Sequence, residues 1–265
     1  MPICSSALMC HAPVTIPTVG LDRSKQCGKT TDSMMTAART LMKYNPDHII
    51  LVSPHAPRLP DKFGVINQRI TGNFASFGKP GIKINLPWDK VMIEELEDTA
   101  PHSFESLPKV DLDHGSMVPL WFLQQAGWDG KTTIISLPAM EPMNYVEDAA
   151  DALHDLLRKD PQSFALVASG DLSHCLRPDS PGGFHPQAEE FDQNFTQALH
   201  QGDFQKAIQI SEDLRMGAGE DVVDSFCFVA LASQLSNHNA KFLSYEAPFG
   251  VGYGISILNQ FEPDD

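Results

Sequence analysis

Apolar residues in this chain fall into two kinds of run. Short, nearly unbroken stretches at 3–9, 48–53, 132–137 and 163–169 are rich in Ile, Leu, Val and Ala and end at loops bearing polar residues or proline. Continuous runs of this length suit parallel strands buried on both faces. Between them, apolar positions recur every three or four residues, the period of an amphipathic helix. Residues 24–44 are of this second kind, with Met34, Met35, Ala38, Leu41 and Met42 at helical spacing, until Asn45-Pro46-Asp47 breaks the pattern. Further helices are predicted near 88–98, 115–126, 145–159, 186–200, 204–210 and 222–235. The stretch 58–87 is less regular, with 65–67 and 82–85 read as strands around a turn at Thr71-Gly72-Asn73-Phe74. Strands at 242–245 and 251–258 follow. The glycines of Gly250-Val251-Gly252-Tyr253-Gly254 lack both the spacing of a phosphate loop and a following helix, so they read as a turn or bulge within a hairpin.

Helices alternating with buried strands predict an α/β fold: a single domain over 1–265 whose central, mostly parallel or mixed β-sheet is flanked by helices on both faces. Composition narrows the partners. A net charge of −15, with scattered basic residues, argues against a nucleic-acid surface. No uncharged apolar run reaches the ~18 residues of a membrane span. The beginning of the sequence lacks the basic leader of a signal peptide. The five cysteines are odd in number and have no C-x-x-C pairing, as expected of reduced thiols in a cytoplasmic protein. For assembly the expectation is a homodimer, the commonest closed form.

The polar residues that end the apolar runs carry the candidate chemistry. They lie in Cys10-His11-Ala12-Pro13, Ser53-Pro54-His55-Ala56-Pro57, Gly170-Asp171-Leu172-Ser173-His174 and Tyr245-Glu246-Ala247-Pro248. Ligands bind at the carboxyl ends of strands in open α/β sheets. Two imidazoles and one carboxylate gathered there, His11, His55 and Glu246, would make a non-haem Fe(II) site with positions left for a chelating catechol and for O2. The spacing alone does not single out this triad, because its members are far apart in sequence. His114 and His174 are candidates for proton transfer, with Asp113 and Asp171 placed to orient them. Pro13, Pro57 and Tyr245 are read as contacts to substrate or supports of the site. Ser173 lacks the flanking glycines of a nucleophile elbow. His48, His102, His154, His185, His200 and His238 are read as structural or surface residues, and Cys10 and Cys175 as packing.

In order and spacing these segments, together with Leu112-Asp113-His114-Gly115 and Ser244-Tyr245-Glu246-Ala247-Pro248-Phe249-Gly250-Val251-Gly252-Tyr253, resemble the catalytic (LigB-type) subunits of class III extradiol ring-cleavage dioxygenases. The resemblance extends to the LigB-type domains of the AmmeMemoRadiSam and Memo-like superfamily. It implies Fe(2+) bound by His11, His55 and Glu246, His174 as acid and base, and His114 in contact with substrate or oxygen. A small aromatic substrate and O2 are then the partners. Memo-like relatives replace the carboxylate with a cysteine earlier in the chain. The corresponding region here, Gly219-Glu220-Asp221, has no cysteine, which leaves Glu220 or Asp221 as a competing ligand. A metal-binding protein without ring cleavage, holding copper, and a zinc hydrolase are the alternative readings.

Overall fold

A computed structural model describes residues 2–139, 143–235 and 240–260. The first half contains β1 (Ile3–Met9), α1 (Pro17–Gly20), α2 (Gly28–Lys43), β2 (His48–Ser53), β3 (Phe63–Ile66), β4 (Ile70–Phe74), β5 (Lys79–Leu86), α3 (Lys90–Thr99), β6 (Phe104–Leu107) and α4 (His114–Gln125). The second half contains β7 (Lys131–Ser136), α5 (Met143–Leu157), β8 (Phe164–Ser169), α6 (Ala188–Gln201), α7 (Phe204–Ile208), α8 (Glu212–Ala218), α9 (Val223–Ala232), β9 (Lys241–Glu246) and β10 (Tyr253–Gln260).

Eight strands form one sheet in the order β6-β3-β7-β2-β8-β1-β10-β9. β7, β2, β8 and β1 run parallel at its centre, while β3 joins β7, and β10 joins β1, antiparallel. The sheet is therefore mixed, with a parallel middle, and the helices cover both faces. In β2, Ile50 and Val52 face one core with Phe226 of α9 and Leu153 of α5, whereas Ile49 and Leu51 face the other with Met34 of α2 and Leu120 of α4. β8 divides likewise, Leu166 and Ala168 against Ala165 and Val167. Alternate side chains entering opposite cores explain why these runs are apolar throughout.

Register makes the central strands finish level: Met9 pairs with Ser169, and Val52 with Ala168. His11, His55 and Asp171 each stand two residues past the end of a strand, at the same edge of the sheet.

The structure departs from the sequence pattern in a few places. The predicted turn Thr71-Gly72-Asn73-Phe74 lies within β4, and the reversal comes later, at Ala75–Phe77 followed by Gly78 with φ 72°. β3 belongs to the main sheet, and β5 pairs with β4 instead. α2 begins only at Gly28, because Leu21–Cys27 is wound as a 3-10 helix. β6 and α8 had no periodicity long enough to read. Among the described residues, no helix is long and apolar enough to cross a membrane.

Candidate metal centre at the carboxyl edge of the sheet

β1 delivers a histidine that is almost fully buried. The main-chain N–H of His11 donates to Asp171 Oδ1 at 3.0 Å, which fixes the loop that follows the strand. Its ring Nδ1 lies 3.1 Å from Ser169 Oγ, and that hydroxyl donates its own proton to the carbonyl of Gly115 at 2.6 Å. Ser169 must therefore accept from His11 Nδ1–H. When the ring is neutral, as a metal ligand must be, it is held in the tautomer whose lone pair is on Nε2.

That lone pair faces the other donors. His11 Nε2 and His55 Nε2 are 3.2 Å apart, and Asp221 Oδ2 lies 3.3 Å from the first and 3.0 Å from the second. His55 is partly exposed, so the group opens to solvent on that side. His114, the first residue of α4, packs its ring 4.3 Å from that of His55 and 5.3 Å from that of His11, centroid to centroid. Ring nitrogens of His11, His55 and His114 all lie within 4.8 Å of one another. Gly115 lets α4 approach this closely: a Cβ there would meet Ser53 Oγ at 2.6 Å and His55 Cδ2 at 3.2 Å.

Asp221 is tied in place by its neighbours. Its Oδ1 accepts from the Asp171 N–H at 2.8 Å, and its own N–H donates to the Asp171 carbonyl at 3.3 Å. Burial penalises charge throughout this group, yet the nearby Asp171 and Asp221 carboxylates raise His11 to about 9. In return, His11 and the hydrogen bonds from both imidazoles hold Asp221 well below the usual carboxylate range, against its burial. Asp171, buried and beside a second carboxylate, is raised. His114 is lowered to about 4 by burial and by the neighbouring imidazoles of His11 and His55. Two carboxylates beside His11, one of them also beside His55, favour any cation placed among these groups, whether a proton or a metal ion.

Glu246 is held by the start of α2. Its Oε1 accepts from both the N–H and the hydroxyl of Thr30, at 2.8 Å each, in the first turn of α2. Unsatisfied N–H groups and the positive end of the helix dipole account for that choice. The carboxylate between the two imidazoles is that of Asp221. Glu220 is engaged too, by Arg215 at 2.6 Å and by the Val222 and Val223 N–H groups at the start of α9.

The remaining predicted residues are placed as follows. Asp113 caps α4 through Ser116 and accepts from Ser53 Oγ at 2.7 Å, so it holds the His114 helix rather than the His114 ring. Asp171 serves His11 and Asp221. His174 donates from Nδ1 to the Gly219 carbonyl at 2.8 Å, which leaves Nε2 with the lone pair. Pro13 opens a 3-10 turn two residues after His11, and Pro57 is exposed in the loop beyond His55. Tyr245 donates its hydroxyl proton to Asp192 Oδ2 at 2.6 Å. Cys10 and Cys175 are buried, and burial raises both thiols. Ser169, which sets the His11 tautomer, was missed because a serine ending an apolar strand carries no signal of its own.

Residues 5–256 match the family described as the catalytic LigB subunit of aromatic ring-opening dioxygenase. The chain belongs to the LigB family. Protein CA_C1420 of Clostridium acetobutylicum is 30% identical over 275 aligned residues, which take in 97% of this chain and 58% of that protein. The chain thus spans a little over half the length of that relative. The crystal structure of uncharacterized protein JW3007 from Escherichia coli K12 has the same fold, with a TM-score of 0.63 over 96% of this chain and 98% of that one, at 16% identity.

Proposed function

We propose that this LigB chain is a non-haem Fe(II)-dependent extradiol dioxygenase that opens the ring of a catechol-like or o-aminophenol-like aromatic with O2, its metal held by His11, His55 and Asp221. The observation that carries the reading is the mutual separation of three donor atoms, 3.0–3.3 Å. Neighbouring ligand atoms each about 2.1 Å from one ion must be about 3 Å apart. Two imidazoles and one carboxylate on one side of an ion are also the donor set of oxygen-activating iron enzymes.

Bound there, Fe(II) would supply the Lewis acidity that favours the ionised diol and the electronic link between aromatic ring and dioxygen. The protein's own groups do the rest. Ser169 keeps the His11 lone pair on Nε2, and the Asp171 main chain keeps Asp221 turned toward the imidazoles. His174, whose Nδ1–H is committed to Gly219, has Nε2 available to accept a phenolic proton and later return it. His114, neutral at physiological pH, offers a ring nitrogen that can accept a hydrogen bond from the substrate.

The test is anaerobic loading with Fe(II), followed by a panel of catechols and o-aminophenols in air. Oxygen uptake with a coloured ring-opened product is expected, and its absence across a broad panel defeats the reading. A second reading has one observation in its favour: His114 adds a third imidazole to the cluster, and an all-histidine set suits zinc or copper. Zinc-restored hydrolysis insensitive to oxygen, or tight copper binding without oxygen uptake, would select it.

A further inference from the structure

The glycine-rich hairpin segment and a buried aspartate of α6 lie outside the metal cluster, yet both bear on the turn that presents His174. That turn is held on three sides. From the hairpin, Leu172 N–H donates to the Gly252 carbonyl at 2.8 Å and Gly252 N–H to the Ser173 carbonyl at 2.9 Å. From the end of α8, the Ala218 carbonyl accepts from His174 N–H at 2.9 Å, next to the Gly219 contact of its ring. From α6, Asp192 Oδ1 accepts the Ser173 N–H at 2.8 Å.

Asp192 is 2% exposed, and its other oxygen accepts from the Tyr245 hydroxyl at 2.6 Å. A carboxylate so deeply buried is uncommon unless it is paired or hydrogen-bonded. Burial raises it to about 6, while the Tyr245 and Ser173 hydrogen bonds pull the other way. Gly252 leaves the space for it: a Cβ there would stand 2.2 Å from Asp192 Oδ2 and 2.9 Å from Leu172 Cβ. Only glycine permits the hairpin, the aspartate and the His174 turn to share this volume.

We infer that Asp192, anchored by Tyr245 and accommodated by Gly252, is the positioning residue for His174, holding the Ser173–His174 turn at the height from which the imidazole reaches substrate. This rests on the proposed acid–base role of His174. It assigns Tyr245 to the support of a catalytic turn rather than to substrate.

The experiment compares Asp192→Ala, Asp192→Asn, Tyr245→Phe and Gly252→Ala with the parent, all as the iron-loaded chain of residues 1–265. For Asp192→Ala, iron content should match the parent and amide exchange across 171–176 should quicken. Its kcat should fall about tenfold to a hundredfold with KM nearly unchanged, the signature of a misplaced group rather than lost binding. Gly252→Ala should behave alike, because its methyl displaces Asp192. Asp192→Asn, which keeps an acceptor for Ser173, and Tyr245→Phe should lose less. Faster exchange with parental kcat, or kcat, iron content and thermal stability declining together, would overturn the inference. Should the parent turn over no catechol, the dioxygenase proposal falls. Unchanged exchange in Asp192→Ala would then still overturn the positioning claim, and faster exchange would support it.

Discussion

β2 carries a histidine at each end, and the two ends teach different lessons. His48, at the start, is fully buried with Nε2 on Thr133 Oγ1 at 2.9 Å, and is lowered to about 4, chiefly by burial. His11, which meets His55 beyond the other end, is just as buried and is raised to about 9. Both have carboxylates nearby. The difference is that Asp89, 3.9 Å from His48, is already matched by Lys131 at 2.7 Å and by two N–H groups of α3. Among the described residues no lysine or arginine pairs with Asp171 or Asp221, so their charge is offered to the imidazoles. Burial makes a histidine neutral, and uncompensated carboxylates make it a cation site.

The contrast can be broken most severely at Asp221. Asp221→Ala should weaken Fe(II) binding by more than the roughly 10–100-fold typical of losing an outer-sphere partner, as read by metal analysis and competition with a chelator. Retention of iron would leave the three-histidine set as the working alternative.

Stability against pH comes next, with slopes of opposite sign. The folded value of His48 lies below its ordinary 6.5, so the unfolded chain binds more protons between pH 6.5 and 4. Stability should fall by about 3 kcal/mol on acidification through that window, and His48→Gln should flatten the slope in urea titrations. The folded value of His11 lies above 6.5, so its contribution in chelator-treated protein is complete below pH 6.5 and is lost as pH rises through 9. Asp221→Asn, which leaves Asp171 in place, should reduce that alkaline loss, and an unchanged slope would refute the pairing.

Ser169→Ala frees the His11 tautomer and should weaken iron binding by about 10–100-fold, less than Asp221→Ala. Smallest of all, Glu246→Gln keeps an acceptor for Thr30 and should leave iron content unchanged while lowering stability by at most about 1 kcal/mol. Loss of iron from that variant would restore Glu246 as a ligand.

Sequence pattern was a good guide to the centre of the fold and a poor one to its edges. β1, β2 and β8 were readable because burial on both faces leaves few polar positions. β6 was not, because Glu105 and Ser106 sit on a short edge strand that needs no apolar run. The histidines were legible for the same reason as the strands that deliver them. The carboxylate was harder. Glu246 ends a strand of the same orientation and satisfied every local criterion, but the first turn of α2 competes for it. Asp221 lies in a loop before α9, and only the tertiary contact with Asp171 shows which way it turns. A local pattern can place a residue at an edge of the sheet. It does not say which of several electropositive neighbours its side chain will choose.

His11 and Asp221 come from segments synthesised early and late, with most of the family's matched region between them. No nascent fragment that stops before Asp221 can assemble the pocket, so capture of an ion there would wait until β1, β2, β8 and the loop ahead of α9 are in place. Once in place, the ion would tie β1 to the loop ahead of α9 and act as a clasp across the fold. A bound ion would then also lengthen the time for which the folded chain survives proteolysis.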